Sequence, residues 1–121
     1  DDQWEPLWED VVGLADKIAA GNAPSRMHFL GASVQEKVDV PPGHVETRRL
    51  IDGQQRFTTL QILLVAFRDA VRSRAIERFD NALDQLVTNT HALRQFDEED
   101  YKVWPTNVDR LDFQHVMQCG S

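Results

Sequence analysis

Cysteine is nearly missing from this chain: Cys119 is the one thiol among 121 residues. A single thiol forms no intrachain disulfide, so the fold has to rest on burial and hydrogen bonding, and a reducing cytoplasm is the expected compartment. Positive charge is in short supply. Thirteen Lys and Arg against 20 Asp and Glu leave a formal net charge of −7, which argues against the broad positive field that non-specific binding to DNA phosphates needs. A local basic cluster that holds a small anion stays compatible with that balance. Long apolar runs are absent too. None approaches the roughly 20 residues that span a bilayer, so a membrane is not an expected partner, and no basic-then-apolar secretion leader opens the chain. The phosphate-loop pattern ending in Gly-Lys-Ser/Thr, the Gly-rich dinucleotide fingerprint, Cys-x-x-Cys and His-Glu-x-x-His are all missing. His28, His44, His91 and His115 lack metal-ligand spacing and are expected as surface or hydrogen-bonded structural histidines. There is no initiator Met, and the helical pattern starts almost at once, so the chain is expected to be a fragment that begins inside a longer protein.

What is present suits one folded domain over residues 1–121. Hydrophobic residues make up 41% of the chain, and a chain of this size buries roughly two-thirds of its unfolded surface. Trp4, Leu7, Trp8, Val11, Val12, Ala15, Ile18 and Ala19 recur at helical spacing and predict an amphipathic helix. Asp2 is placed to cap it, Pro6 sits in its first turn and Gly21-Asn22 ends it. Its tryptophans are expected in the core. Met27 to Val38 reads as a strand with a bulge or close approach at Gly31, Pro41-Pro42-Gly43 as a turn, and Val45 to Ile51 as the partner strand of a hairpin. A long helix follows to about Arg74, with Phe57, Leu60, Leu64, Phe67 and Val71 on one seam. Residues 75–95 predict a more polar helix carrying Ile76, Phe79, Leu83, Leu86, Val87 and Leu93. Asp97 to Asp100 reads as a solvated acidic loop, with a metal site there the weaker reading. Tyr101 to Pro105 reads as a short extended piece, and Thr106 to Asp109 as the cap of a last helix through Met117. The fold class is therefore α+β, a small hairpin sheet packed with several helices.

The junction Ile51-Asp52-Gly53-Gln54-Gln55-Arg56-Phe57-Thr58-Thr59 carries the chemistry. A strand runs straight into a helix whose first N–H groups lack intrahelical partners and whose N-terminus is partly positive. Gly53 allows close backbone approach. Arg56 adds a permanently charged fork suited to phosphate oxygens. Gln54 and Gln55 add amides, and Thr58 and Thr59 hydroxyls. Together they describe an anion site, with nucleotide phosphate the obvious anion. Asp52 has two readings, a helix N-cap or a carboxylate that meets the phosphates through a divalent cation or the sugar. The whole segment also fits a well-capped buried helix with polar first-turn residues. Arg48 and Arg49, one per strand face, are expected as solvated charge, and Cys119 as incidental.

Asp52-Gly53-Gln54-Gln55-Arg56 followed by Thr58-Thr59-Leu60 resembles the signature of the GmrSD-type restriction family, N-terminal domain. Trp4 to Val11 is similar to that family's first helix, His28 to Val34 to its Phe-Leu-Gly-Ser strand, and Trp104 to Arg110 to a later block with an Asp-Arg pair. The resemblance implies a ParB/sulfiredoxin-like fold and a domain that binds or hydrolyses a nucleoside triphosphate, with or without Mg²⁺, to govern cutting of modified phage DNA. It implies catalytic roles for Asp52 and Arg56, and nucleotide contacts from Gly53, Gln54, Gln55, Arg56, Thr58 and Thr59. DNA would be met through other domains of the full-length protein, because nothing here resembles a His-Asn-His nuclease. The family's upstream Gln-Arg-aromatic-Trp segment is not in this chain, so weak binding and slow or absent turnover are expected of it. Two other functions stay open: a DNA-phosphate or modification sensor without NTPase activity, and a structural or partner-docking domain in which Arg56 makes an internal ion pair. Metal requirement and oligomeric state are not legible.

Overall fold

The computed structural model describes residues 4–22, 29–90, 94, 96 and 99–119. They form two compact units, Asp1–Gly31 and Ala32–Ser121.

The first unit holds helix α1, Trp4–Ala19. Glu5 in its first turn and Lys17 in its last both complement the helix dipole. The stop is set by Gly21-Asn22 as the sequence predicts. Gly21 is left-handed at φ 77, its N–H bonds the Ile18 carbonyl, and the Asn22 N–H reaches back to the Lys17 carbonyl, the paired closure of a Schellman motif. The expectation that Trp4 and Trp8 are core residues fails: α1 buries no residue, and Trp8 is 58% exposed. The apolar stripe is real, but no described element of its own unit covers it. The Asp2 cap and the start of the strand from Met27 lie outside the described residues.

The second unit opens with an antiparallel hairpin, β1 (Val34–Val38) and β2 (Thr47–Asp52). The pairing sets Gln35 opposite Leu50 and Glu36 opposite Arg49, with an irregularity between Val34 and Gln35. Strand β1 is shorter than predicted because residues 29–33 lie outside the ladder. The turn at Pro41-Pro42-Gly43 forms as expected, with Gly43 at φ 94 and the His44 N–H on the Pro41 carbonyl. Helix α2 (Gln54–Arg72) follows β2 after Gly53 alone, then come α3 (Glu77–Val87), a 3₁₀ turn (Asn107–Asp109) and α4 (Arg110–Gln118). Among the described residues, four helices and a two-stranded sheet make the class α+β. Among the described residues no helix is long and apolar enough to cross a membrane.

The core is small: Val65, Val87, Phe113 and Met117, with Ile62, Leu64, Tyr101 and Trp104 packed around it. Leu83 and Val71 are buried as well. Helix α2 presents a different face to this core than its apolar seam suggests. Its buried residues are Gln61, Val65, Arg68 and Val71, whereas Phe67 from the predicted seam is 57% exposed. Both polar members of that face are hydrogen-bonded. Gln61 donates to the Val103 carbonyl at 3.0 Å. Arg68 donates to Asp69 on α2, to Asp84 on α3 and to the Met117 carbonyl on α4. Arg72 adds Asp80 and Asp84, and the Thr88 hydroxyl donates to the Asp84 backbone and side chain. The α2–α3 contact is therefore ionic at one end and apolar at the other.

Helix α3 is shorter than its pattern. It stops at Val87, and Thr88 pairs with Tyr101 in an isolated bridge, which makes Tyr101 to Pro105 the short extended piece expected. Ile76, Phe79 and Leu86 are exposed, while Leu83 and Val87 are buried; Leu93 lies outside the described residues. Burial raises the Tyr101 hydroxyl above its ordinary value, with the Gln118 side chain pulling the other way. The acidic loop departs from its solvated reading. The Glu99 side chain is 11% exposed and lies 3.1 Å from His44. It accepts the Val45 and Phe96 N–H groups, and the His44 ring stacks on Phe96. Asp100 pairs with Arg94. Glu99 ties the segment to the hairpin loop; Asp97 and Glu98 lie outside the described residues.

Candidate functional site

The β2–α2 junction is built by a one-residue reversal. Gly53 is left-handed at φ 90, ψ 9, and it is the N-cap of α2, without a side-chain cap bond. Asp52 is not the N-cap. Its Oδ1 accepts the Gly53 N–H at 2.8 Å, one residue ahead of the helix, because Asp52 still belongs to β2 opposite Val34. The Phe57 N–H makes the first helical bond, to the Gly53 carbonyl at 3.1 Å. The Gln54 and Gln55 N–H groups precede that bond and are orphan donors of the kind every helix start leaves.

Arg56 folds back over this start. Its guanidinium lies 3.6 Å from Asp52 Oδ2 and 3.4 Å from where a Cβ on Gly53 would stand. A cation in the first turn opposes the helix dipole, so the Asp52 carboxylate offsets an unfavourable placement. Both side chains are exposed. Ser33 and the Ala32 carbonyl pack against Gly53, with the Ser33 Cβ 3.3 Å from a Cβ built there. The glycine is therefore demanded by the chain's own backbone: a positive φ and a neighbouring segment with little room. Gly53→Ala is expected to lower stability by about 1–2 kcal/mol from the left-handed φ alone, with Gly53→Asn costing less. A denaturant midpoint equal to wild type for Gly53→Ala would contradict this conformation.

The remaining predicted residues divide. Gln54 is half-buried and Gln55 exposed. Thr58 and Thr59 are half-buried, and the Thr58 hydroxyl donates to the Gln54 carbonyl at 3.0 Å, one turn back in its own helix. The junction thus brings Asp52, Gly53 and Arg56 together, while Thr58 bonds along the helix.

Beside the junction lies a cleft of about 270 Å³ between β2 and the Tyr101–Trp104 segment, with Gln54 and Asn89 among its lining residues. Arg48 and Arg49 border it, Arg48 paired with Glu46 at 2.9 Å and Arg49 with Glu36 at 3.6 Å. Both pairs are exposed, in line with the solvated reading. The Trp104 wall is held rigidly. Arg110 lies over its ring at 4.6 Å, Tyr101 and Phe113 pack at 5.2 and 5.7 Å, and Gln61 anchors the preceding carbonyl. The Trp104 indole N–H is buried with no acceptor among the described residues. Sequence reasoning passed over this wall. Its available signal was the pairing of Trp104 with Arg110 across the Pro105 turn, in a block that did resemble a family segment.

Other candidates place simply. His44 is the hydrogen-bonded structural histidine just described. His115 Nε2 lies 3.6 Å from Cys119 Sγ on the exposed last turn of α4, a pairing the sequence reading did not include. His28 and His91 lie outside the described residues. Among the described residues no group of three His, Cys, Asp or Glu side chains is placed to hold a metal ion.

No curated protein and no solved structure is detectably similar to this chain. The family comparison is positive: the model for the GmrSD restriction endonuclease, N-terminal domain, matches residues 1–121, and the chain therefore belongs to that family, the N-terminal part of a restriction protein that acts on DNA.

Proposed function

We propose that this domain binds a nucleoside triphosphate at the β2–α2 junction and serves as the nucleotide-dependent regulatory part of its restriction system. The observation that carries the reading is the position of Arg56, a permanent cation folded over the start of α2 beside Gly53. There the fork adds to the positive helix end, and an incoming phosphate would be met by Arg56 and by the first N–H groups of α2 at once. Asp52 is the acid at this junction. With Oδ1 engaged by Gly53 and Oδ2 facing Arg56 at 3.6 Å, the carboxylate would share a Mg²⁺ with the phosphates through Oδ2 once Arg56 turns to the phosphates, since Mg²⁺ is commonly held by one or two carboxylates plus phosphate oxygens. Gln55, exposed on the same turn, and Thr59, half-buried one turn on, are the further contacts in this reading. Asp52 and Arg56 would act on the phosphates, and DNA would be met by other parts of the whole protein.

The Asp52–Arg56 pair itself favours a second reading, in which Arg56 serves only the fold. Calorimetric titration of wild type and Arg56→Ala with each nucleoside triphosphate and Mg²⁺ decides between them. Nucleotide binding that falls at least tenfold in the variant, with an unfolding midpoint within about 0.5 kcal/mol of wild type as expected for an exposed pair, supports the phosphate site. A variant that loses stability while wild type binds no nucleotide supports the structural reading.

A further inference from the structure

The cleft beside the junction has features the phosphate reading does not use. Its lining includes the Gln54 carboxamide and the Lys102 ammonium, which among the described residues have no hydrogen-bond partner and no ion pair respectively. Asn89 donates to the Glu99 carbonyl through its amide nitrogen, leaving the amide oxygen as an acceptor. Trp104 carries the unsatisfied indole N–H. An N–H shut off from water without an acceptor is costly, and such groups are uncommon enough in folded proteins to call for an explanation. Tyr101 and Trp104 make the wall aromatic, their rings tilted by 58°, and Arg110 and Phe113 pack on Trp104.

We infer that this cleft is a nucleobase subsite, an inference that rests on the phosphate reading of the junction. Carboxamides set a donor and an acceptor side by side, the pattern that pairs with the edges of heterocyclic bases, and bases stack on aromatic side chains. The volume, about 270 Å³, sits at the low end for small-molecule pockets. It suits a base and leaves the charged triphosphate outside. Gln54 belongs to both places, lining the cleft as the first residue of α2, so a nucleotide with its base in the cleft runs its phosphates toward Gly53 and Arg56. The ligand acceptor that the Trp104 N–H lacks would come from the base, and Lys102 would face the same edge or the sugar.

The test is a titration of the isotope-labelled chain, followed by NMR, with the four common nucleoside triphosphates and with inorganic tripolyphosphate, which has the phosphates and no base. The expected result is that tripolyphosphate shifts the Gly53 to Arg56 backbone amides alone, whereas at least one nucleotide also shifts the Trp104 indole and the Gln54 and Asn89 side-chain amides. Trp104→Phe, which keeps an aromatic ring and removes the N–H, is expected to weaken that nucleotide about threefold to tenfold and leave tripolyphosphate binding unchanged. Nucleotide shifts confined to the Gly53 to Arg56 amides would overturn the base subsite and leave the phosphate site standing. Shifts at the cleft from nucleotide, with none at the junction from either ligand, would overturn the phosphate reading and with it the assignment of the cleft as part of a nucleotide site. If Trp104→Phe fails to fold, Lys102→Met at the exposed edge of the cleft replaces it, with the same loss of nucleotide over tripolyphosphate expected.

Discussion

Arg68→Ala is expected to lower the stability of the domain by about 3 kcal/mol, the low end of what removing one partner of a buried ion pair costs. Arg68 is 3% exposed, and its guanidinium joins three helices through Asp69, Asp84 and the Met117 carbonyl. The low end applies because the acids left behind are not stranded. Asp84 is 41% exposed and keeps Arg72 and the Thr88 hydroxyl, and Asp69 is 25% exposed. Among the described residues the Met117 carbonyl has no such substitute, and an unpaired buried acceptor costs about 1–3 kcal/mol by itself. The expected readout is a fall of roughly 1–3 M in the urea midpoint at unchanged slope. Arg68→Met keeps most of the stem's volume and removes the charge, so it isolates the ionic part and is expected to recover the packing share alone. A Met variant as stable as wild type would mean that desolvation cancels the three hydrogen bonds, and that Arg68 selects the helix arrangement without stabilising it.

Arg68 also shows where the sequence is readable and where it is not. The hairpin, the Pro-Pro-Gly turn, the Gly21 stop of α1 and the strand-to-helix junction all follow from residues with strong local preferences, and all four are in the structure. The buried face of α2 follows from no such preference. Apolar spacing selects Phe57, Leu60, Leu64, Phe67 and Val71, but tertiary packing turns the helix by about one residue, roughly 100°. Gln61, Val65 and Arg68 then face inward. An amide and a guanidinium in a core are invisible to a hydrophobic pattern, since what admits them is the Val103 carbonyl and the Asp84 carboxylate on other elements. The end of α2, expected at about Arg74, falls at Arg72 without a glycine to mark it. Its Schellman closure, Ile76 N–H to Val71 carbonyl and Ala75 N–H to Arg72 carbonyl, puts Ala75 at φ 53, where a glycine would have announced it.

The candidate site divides along the same line. Asp52, Gly53 and Arg56 lie close in sequence, so a helix start brings them together without help from the rest of the fold. The N-cap assignment moved by one residue because β2 continues through Asp52. The Thr58 hydroxyl, counted from sequence as a donor, turns back on its own helix as mid-helix threonines do. The cleft wall at Tyr101 to Trp104 is far from Gln54 in sequence and is brought to it by contacts such as the Thr88–Tyr101 bridge, the Lys102 N–H on the Val87 carbonyl and the Gln61 anchor. No local pattern encodes that meeting.

The ranking of core residues is reversed between sequence and structure, and the reversal gives the second large effect. Trp8 stands in the clearest amphipathic stripe of the chain, whereas Met117 lies in the last turn of the short helix α4, two residues before Cys119. Met117 is 1% exposed and packs with Val65, Val87 and Phe113; Trp8 is 58% exposed. Met117→Ala is therefore expected to cost about 2–5 kcal/mol through lost burial and the cavity left behind. Met117→Leu should cost less than about 1.5 kcal/mol, because the volume is kept. Trp8→Ala should stay within about 0.5 kcal/mol, as surface substitutions do. Urea unfolding of the three variants in parallel checks the order. A Trp8→Ala loss as large as that of Met117→Ala would mean that the apolar face of α1 is covered in solution, and that the core of this domain is larger than the four residues at its centre.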